Sequence, residues 1–227
     1  MKLAIFDLDH TLLAGDSDYE WGNFLVAKGV VDAAYYQQKN DEFYQQYLDK
    51  TLDIFEYQEF VLAPLTQLTK DERDKLHNRF MKTVIEPLRQ QKANQLISQH
   101  QENGDTLLVI TATNHFIASP IVAAMGISNI LATDPEIIDE HFTGKITGTP
   151  CFQKGKIARL QSWLKQQEQD HQQTFSHTTF YSDSINDAPL LEYVDVAIAV
   201  DPDDKLRQLA EVKNWKIMSL KDEQVRD

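Results

Sequence analysis

The sequence predicts an α/β fold: a doubly wound parallel sheet, with an all-helical segment inserted after its first strand. Three observations carry this. Short apolar runs at 3–6, 106–111, 178–182 and 194–200 alternate with longer stretches of helical periodicity, the signature of strands joined by crossover helices. From Asp16 to about Ile85 that alternation stops, β-branched runs vanish, and aromatics recur at helical spacing: Trp21, Phe24 and Leu25, then Tyr36, Phe43, Tyr44, Tyr47 and Leu48, then Phe55, Phe60 and Val61. Acidic residues directly follow two of the buried runs, Asp7 after the first and Asp183 after 178–182.

The first run, 3–6, is bounded by polar residues and too short for a helix, so it reads as a buried strand. The inserted helices are broken near Gly29, Thr51 and Pro64, and a further helix covers 69–85, where Asp71 and Glu72 suit the positive end of the helix dipole. A helix over 88–102 ends at Gly104. The second strand is 106–111. A helix over 115–125 is closed by Gly126, with Pro120 expected to kink or restart it.

Residues 129–132 read as a strand, and 137–149, with Gly144 and Gly148 among Thr and Ile, as a small hairpin beside the sheet. A helix over 153–168 places Ile157, Leu160 and Leu164 on one face, followed by a polar, solvated linker over 166–173. Strands at 178–182, 194–200 and 215–218 enclose helices at 188–193 and 206–212. The division expected is a core formed by 1–15 and 86–227 and a helical cap over 16–85.

The 227 residues are 42% hydrophobic, enough for a packed core with a sizeable insertion. A formal net charge of −13 with no Lys/Arg block argues against a nucleic-acid surface or an anionic membrane partner. The single cysteine, Cys151, excludes an internal disulfide and a cysteine-based metal site, and reads as a small packed side chain. No apolar run approaches membrane-span length, and the chain begins directly with a strand, so a soluble cytoplasmic protein is expected.

The chemistry-bearing residues cluster at strand ends, where open α/β sheets bind ligands. Asp7 falls at the tip of the first strand and Asp9 and Thr11 in the loop beyond. An ionised carboxylate at the end of a buried strand has little structural justification unless it is paired or binds a metal. Thr111 ends the second strand and Ala112-Thr113-Asn114 leads into a helix, where a hydroxyl and free amides form an anion site. Asp183-Ser184-Ile185-Asn186-Asp187 follows the strand at 178–182, and Phe152-Gln153-Lys154-Gly155-Lys156 opens a helix between the two. Asp187 equally suits an N-cap, His10 reads as structural, and Asn114 and His115 could line a pocket or not.

In order, separation and strand context, Asp7-x-Asp9-x-Thr11, Thr111, Lys154 and Asp183-Ser184-x-x-Asp187 resemble the four motifs of the haloacid dehalogenase-like hydrolase superfamily. The resemblance implies a Rossmann-like core. The helical insertion resembles the cap of the subgroup containing phosphoserine phosphatases. The stretches 14–21, 111–114 and 181–184 resemble a bacterial branch described as histidinol-phosphatase-like.

What the resemblance implies is Mg²⁺-dependent hydrolysis of a small-molecule phosphate ester. Asp7 is then the nucleophile and Asp9 the acid and base. Asp7, Asp183, Asp187 and the Asp9 carbonyl hold the cation, and Thr111, Ala112, Lys154 and Asn186 contact the phosphate. Asp16 matches an acid that holds the substrate ammonium in phosphoserine phosphatases. Those enzymes also use a cap arginine for the substrate carboxylate, whereas no arginine occurs here between Asp16 and Glu72 and residues 55–63 are largely apolar.

An amine-bearing ester without a carboxylate follows as the expected substrate, histidinol phosphate first. Phosphoserine hydrolysis, and transfer from the same phospho-Asp7 to another alcohol, are the alternatives. A dehalogenase would lack Asp9. A non-catalytic binding module would be expected to have lost one of Asp7, Asp9 or Asp183.

Overall fold

A computed structural model describes residues 1–222. Seven strands form one sheet in the order β4-β3-β2-β1-β5-β6-β7: β1(Lys2–Phe6), β2(Thr106–Asn114), β3(Asn129–Ile138), β4(His141–Thr147), β5(His177–Ser182), β6(Val196–Val200) and β7(Lys216–Met218). All neighbours pair in parallel except the β3–β4 hairpin. β1 sits at the centre, with Phe6 opposite Val109 of β2 and Tyr181 of β5. A central parallel strand is covered on both faces, which is why its sequence is a continuous apolar run.

Successive side chains of β1 alternate between the two faces. Ala4 and Phe6 join Leu107, Val109, Ile97, Ile117 and Ile121 on one side. Leu3 and Ile5 join Leu108, Ile110, Leu160, Phe180, Leu190 and Leu206 on the other. Full burial of each such large aliphatic or aromatic chain contributes about 1.5–3 kcal/mol.

Between β1 and β2 the chain is helical: α1(Ser17–Ala27), α2(Ala33–Asp49), α3(Ile54–Leu62), a 3₁₀ turn Ala63–Gln67, α4(Lys70–Phe80), a π turn Met81–Ile85, α5(Glu86–Leu88) and α6(Gln91–Glu102). Asp16, Asp32, Asp53 and Thr69 cap α1 to α4 with their side chains, Thr69 in a reciprocal capping box with Glu72. Pro87 lacks the N–H that the carbonyl of Thr83 would accept, which accounts for the π turn just before it. The helix expected from residue 88 therefore starts only at Gln91, after a break at Arg89 whose backbone bridges Leu13.

The remaining helices are α7(His115–Ala124), α8(Lys154–His171), α9(Ala188–Leu191) and α10(Asp204–Lys213). Three further expectations are corrected. α7 runs through Pro120 without interruption. α8 continues to His171, so most of the polar stretch 166–173 is exposed helix rather than linker. β3 does not stop at residue 132: past Thr133 it leaves β2 and becomes one arm of the hairpin.

That hairpin turns at Asp139-Glu140, both in the left-handed region (φ 50° and 65°), and not at either glycine. Its second strand lies against α3 and the 3₁₀ turn. Arg73 of α4 donates to the Glu140 carbonyl at 3.1 Å and stacks 4.6 Å over Phe142. Among the described residues no helix is long and apolar enough to cross a membrane.

Candidate active site

The site forms at the carboxyl ends of β1, β2 and β5. The Asp7 N–H donates to the Tyr181 carbonyl at 2.9 Å, the last ladder bond of the strand, and fixes the Asp7 side chain at the sheet edge. The chain then curls. Leu12 and Leu13 both donate to the Leu8 carbonyl, and His10, in the left-handed region at φ 54°, donates to the Gly15 carbonyl. This curl presents Asp9 beside Asp7. Its carboxylate accepts from the Ser17 N–H (2.6 Å) and the Thr113 hydroxyl (2.7 Å).

Thr11 is fully buried; its hydroxyl donates to Asp183 Oδ1 (3.0 Å) and accepts the Asp183 N–H (3.1 Å). It ties the β1 loop to the β5 loop and orients a carboxylate. Asp187 is 3% exposed and accepts from the Ser182 hydroxyl at 2.8 Å. Its side chain makes no capping bond to α9, so of the two roles open to it, the N-cap is not the one seen.

The lysine expectation is corrected. Lys154 is exposed at the first residue of α8, whereas Lys156, 3% exposed, lies in the site. Its Nζ contacts Asp7 at 2.9 Å and the Asp187 carboxylate at 2.7 Å. Two residues along a helix is about 200° of rotation, so one of the two lysines must point away when the other points in. The neighbouring backbone is tight: a Cβ added at Gly155 would collide with the Pro150 carbonyl, so only glycine fits between the two lysines.

A cavity of about 700 Å³, counting its mouth, lies between these loops and the inserted helices. Asp7, Asp9, Asp16, Asp18, Asp187, Lys156, Thr111, Ala112 and Asn186 line it, together with Tyr19, Phe43, Tyr44, Tyr47, Tyr57, Phe152 and His10. His10 thus has a place in the cavity as well as in the loop. Thr111 is buried and its hydroxyl accepts the Thr113 N–H (3.2 Å), while a register shift between Ile110 and Asn114 frees this segment from the β3 ladder.

Asn186 donates to the Tyr47 carbonyl (3.2 Å) at the end of α2 and leaves its Oδ1 unpartnered. Asp16 caps α1, accepting the Asp18 and Tyr19 N–H groups. Asp183 is tied to the loop by Thr11 and is not among the cavity-lining residues. Asn114 and His115 do not line it either: Asn114 caps α7 through the Ile117 N–H, and His115 contacts Asp134. Cys151 is buried, its thiol pushed up to about 12 chiefly by burial, which leaves it unreactive.

The electrostatics are one-sided. Five carboxylates line the cavity against one lysine. Burial, then Asp187 and Asp9, push Asp7 up to about 7 even though Lys156 opposes the shift. Burial and then Asp7 raise Asp183 well above the usual carboxylate range. Lys156 itself is kept protonated, because Asp187 and Asp7 outweigh the cost of its burial.

This donor set fits a hard divalent cation. Asp7 and Asp183 offer carboxylate oxygens whose mutual repulsion a cation would relieve, and Lys156 is committed to Asp7 and Asp187. Among the described residues no three His, Cys, Asp or Glu side chains converge as a finished metal cage. Mg²⁺ does not require one, because it usually takes one or two carboxylates and completes its octahedron with water and substrate phosphate.

The same imbalance sets a pH dependence. Burial, then Asp9, pushes Asp16 up to about 7 from an ordinary value of 3.8. Between about pH 4 and pH 7 the folded carboxyl holds a proton that the unfolded chain releases, so stability falls as pH rises through that window. Thermal denaturation in EDTA is expected to show Tm declining from pH 5 to pH 8, with a smaller decline in Asp16→Asn. The shift is about 2–4 °C for each kcal/mol removed at this chain length. An identical decline in the variant would show that Asp16 takes no part.

Sequence reasoning missed Lys156, setting the site lysine two residues away, and did not single out Tyr57, which lines the cavity. The Lys-Gly-Lys spacing was the available signal for the first, since only one of two lysines on opposite helix faces can enter the core.

This arrangement of a strand-end Asp, a second Asp two residues on, a strand-end Thr, an inward Lys and an acidic loop has recognisable relatives. The sequence profile of the haloacid dehalogenase-like hydrolases matches residues 4–192. A protein named histidinol-phosphatase from Neisseria meningitidis is 42% identical over 97% of this chain and 99% of its own. One named phosphoserine phosphatase from Mycobacterium tuberculosis is 29% identical over 94% of this chain and 69% of its own. Among solved structures, a Bordetella pertussis protein of unknown function superposes with a TM-score of 0.89 at 39% identity, covering 96% of this chain and 98% of that one. With the profile spanning both the Asp7 strand and the Asp187 loop, the chain belongs to the haloacid dehalogenase-like hydrolase family.

Proposed function

We propose that the protein hydrolyses a small-molecule phosphomonoester through an aspartyl-phosphate on Asp7, and that histidinol phosphate is its substrate. The observation that carries the chemistry is the grouping of Asp7, Asp9 and Lys156 around one cavity at the sheet edge. Phosphate monoesters hydrolyse extremely slowly without catalysis, so the site must stabilise charge and divide the reaction.

In this reading an Asp7 oxygen attacks phosphorus and the ester oxygen departs, taking a proton from Asp9. Asp9 then removes a proton from water as that water attacks the phosphoryl group, which releases inorganic phosphate and regenerates Asp7. Lys156 keeps its charge beside Asp7 throughout, and Thr111 and the Ala112 segment hold phosphate oxygens. Asp7 and Asp183, with Asp187 nearby, would hold a Mg²⁺ ion, which would supply charge neutralisation between the anionic nucleophile and the anionic phosphate. The helices over 16–85 act as a cap that encloses the ester's organic part.

The substrate reading rests on the acidic, aromatic wall of the cavity. In this reading Asp16, on the cavity wall, accepts the substrate ammonium, and Tyr19, Phe43, Tyr44 and Tyr57 offer flat faces for a ring. The name of the Neisseria relative points the same way. Phosphoserine, the alternative suggested by the name of the Mycobacterium relative, would bring a carboxylate into a cavity whose one lysine is committed to Asp7 and Asp187.

The test is phosphate release, with Mg²⁺ and with EDTA, from histidinol phosphate, phosphoserine, phosphoethanolamine, a sugar phosphate and a nucleotide. The expected result is a kcat/KM for histidinol phosphate at least about tenfold above that for phosphoserine, equivalent to about 1.4 kcal/mol, and loss of turnover in EDTA. Preference for phosphoserine would overturn the substrate assignment and keep the chemistry. Transfer to an added alcohol in place of water would turn the hydrolase into a phosphotransferase.

A further inference from the structure

The first turn of α1 holds a buried carboxylate that its backbone does not use. The N–H groups of that turn are already taken: Ser17 donates to Asp9, Asp18 and Tyr19 to the Asp16 side chain, and Glu20 to the Asp16 carbonyl. The helix start is capped without Asp18. Asp18 is nevertheless only 5% exposed, and it lines the same cavity as Asp7 and Asp9.

Its Oδ1 has no hydrogen-bond partner, and its Oδ2 receives a long bond, 3.4 Å, from Gln58. Gln58, fully buried on α3, has an unpartnered Oε1 of its own and reaches across to the Ala112 carbonyl at 3.5 Å. Asp18 Oδ1 and Gln58 Oε1 are therefore two buried acceptors without a hydrogen-bonded donor, and no Lys or Arg forms an ion pair with Asp18 among the described residues. Buried acceptors are costly unless something donates to them. Burial and the Asp16 charge hold Asp18 well above the usual carboxylate range; the nearby Tyr57 hydroxyl and Gln58 amide oppose the shift, although Tyr57 makes no hydrogen bond of good geometry to Oδ1.

We propose that Asp18, presented with Gln58, is a specificity-determining residue that accepts an N–H from a second nitrogen-bearing group of the substrate, a cationic or N–H-donating heteroaromatic ring held against Tyr57 and Phe43. The cavity then selects phosphate esters with two nitrogen centres, an amine on Asp16 and a ring on Asp18, over esters with one. This rests on the reading that the cavity encloses the ester's organic part. The competing occupant is ordered water, which would satisfy Asp18 and Gln58 equally well with any substrate.

The test is calorimetric binding to the intact protein of two probes that carry no phosphate: histidinol, with an amine and an imidazole, and ethanolamine, with the amine alone. The wild-type protein is expected to bind histidinol at least tenfold more tightly than ethanolamine. Asp18→Asn should weaken histidinol at least tenfold, change ethanolamine less than twofold, and leave Tm unchanged or raised, because it replaces a carboxyl whose burial is unfavourable with an amide of the same shape. Gln58→Leu, which leaves Asp18 in place, should give a smaller loss with the same selectivity, and it decides the matter if Asp18→Asn fails to fold.

Wild-type protein without the histidinol preference, equal loss on both probes, or unchanged histidinol binding in the variants would overturn the proposal. The last outcome assigns the acceptors to water. Binding of the alcohol needs no phosphoryl transfer, so selective histidinol binding without phosphate release would fault the hydrolytic reading alone. Phosphate release without selective binding would fault this proposal alone.

Discussion

Lys156→Ala is expected to inactivate the protein and to destabilise it, while Lys154→Ala does neither. In the wild type, Lys156 is the one cation paired with Asp7 and Asp187 among the described residues, and both carboxylates are nearly inaccessible. Removing one partner of a buried ion pair leaves the other uncompensated and costs about 3–5 kcal/mol. Here two carboxylates lose the same partner, so urea denaturation at neutral pH should show a loss at the upper end of that range.

Loss of a fixed charge aimed at the reacting group lowers turnover by about 10²–10³-fold. Lys156→Arg is not expected to rescue, because a planar guanidinium cannot occupy the compact position of an ammonium between two carboxylates. Lys154, exposed at the helix start, should change stability by less than about 0.5 kcal/mol on removal. Equal effects of the two alanine variants would refute the assignment of Lys156 to the site.

Asp7→Asn is expected to lower phosphate release by at least about 10⁴-fold, because an amide cannot act as the nucleophile and no covalent intermediate forms. Acid quenching during turnover should trap a phosphorylated wild-type protein and none from the variant. The fold should survive. Asp7 is pushed up to about 7 by burial and by Asp187 and Asp9, so at pH 8 its charge is held against an opposing field. Asn keeps the shape without that charge, and Lys156 keeps Asp187 as its partner. Activity lost together with a collapsed Tm would mean that Asp7 is structural; activity retained would remove the aspartyl-phosphate.

Local chemistry made much of this protein legible in its sequence. The apolar runs that became β1, β2 and β6 read as buried strands because they are too short for helices and a strand covered on both faces has no polar side to display. The helical insertion was visible because its aromatic residues recur at helical spacing, while its caps Asp16, Asp32, Asp53 and Thr69 were recognised only in the structure. Asp7, Asp9 and the 183–187 loop were legible because each follows a strand, and Thr111 because it lies near the carboxyl end of one, although β2 runs on to Asn114 rather than stopping at 111; strand ends in such a sheet converge.

Tertiary structure alone decided the rest. Which lysine enters the site depends on the rotation of α8 as it leaves the tight turn at Gln153, a quantity set by packing against Pro150 rather than by either lysine. The length of β3 depends on β4 and α3, which give the strand partners after it has left β2. The meaning of Asp18 depends on Gln58, forty residues along the chain and on another helix. Helix caps and strand periodicity are interactions between residues a few positions apart and so are written in order along the chain. The orientation of Lys156 and the pairing of Asp18 with Gln58 come from side chains brought together by folding, and no spacing in the sequence records them.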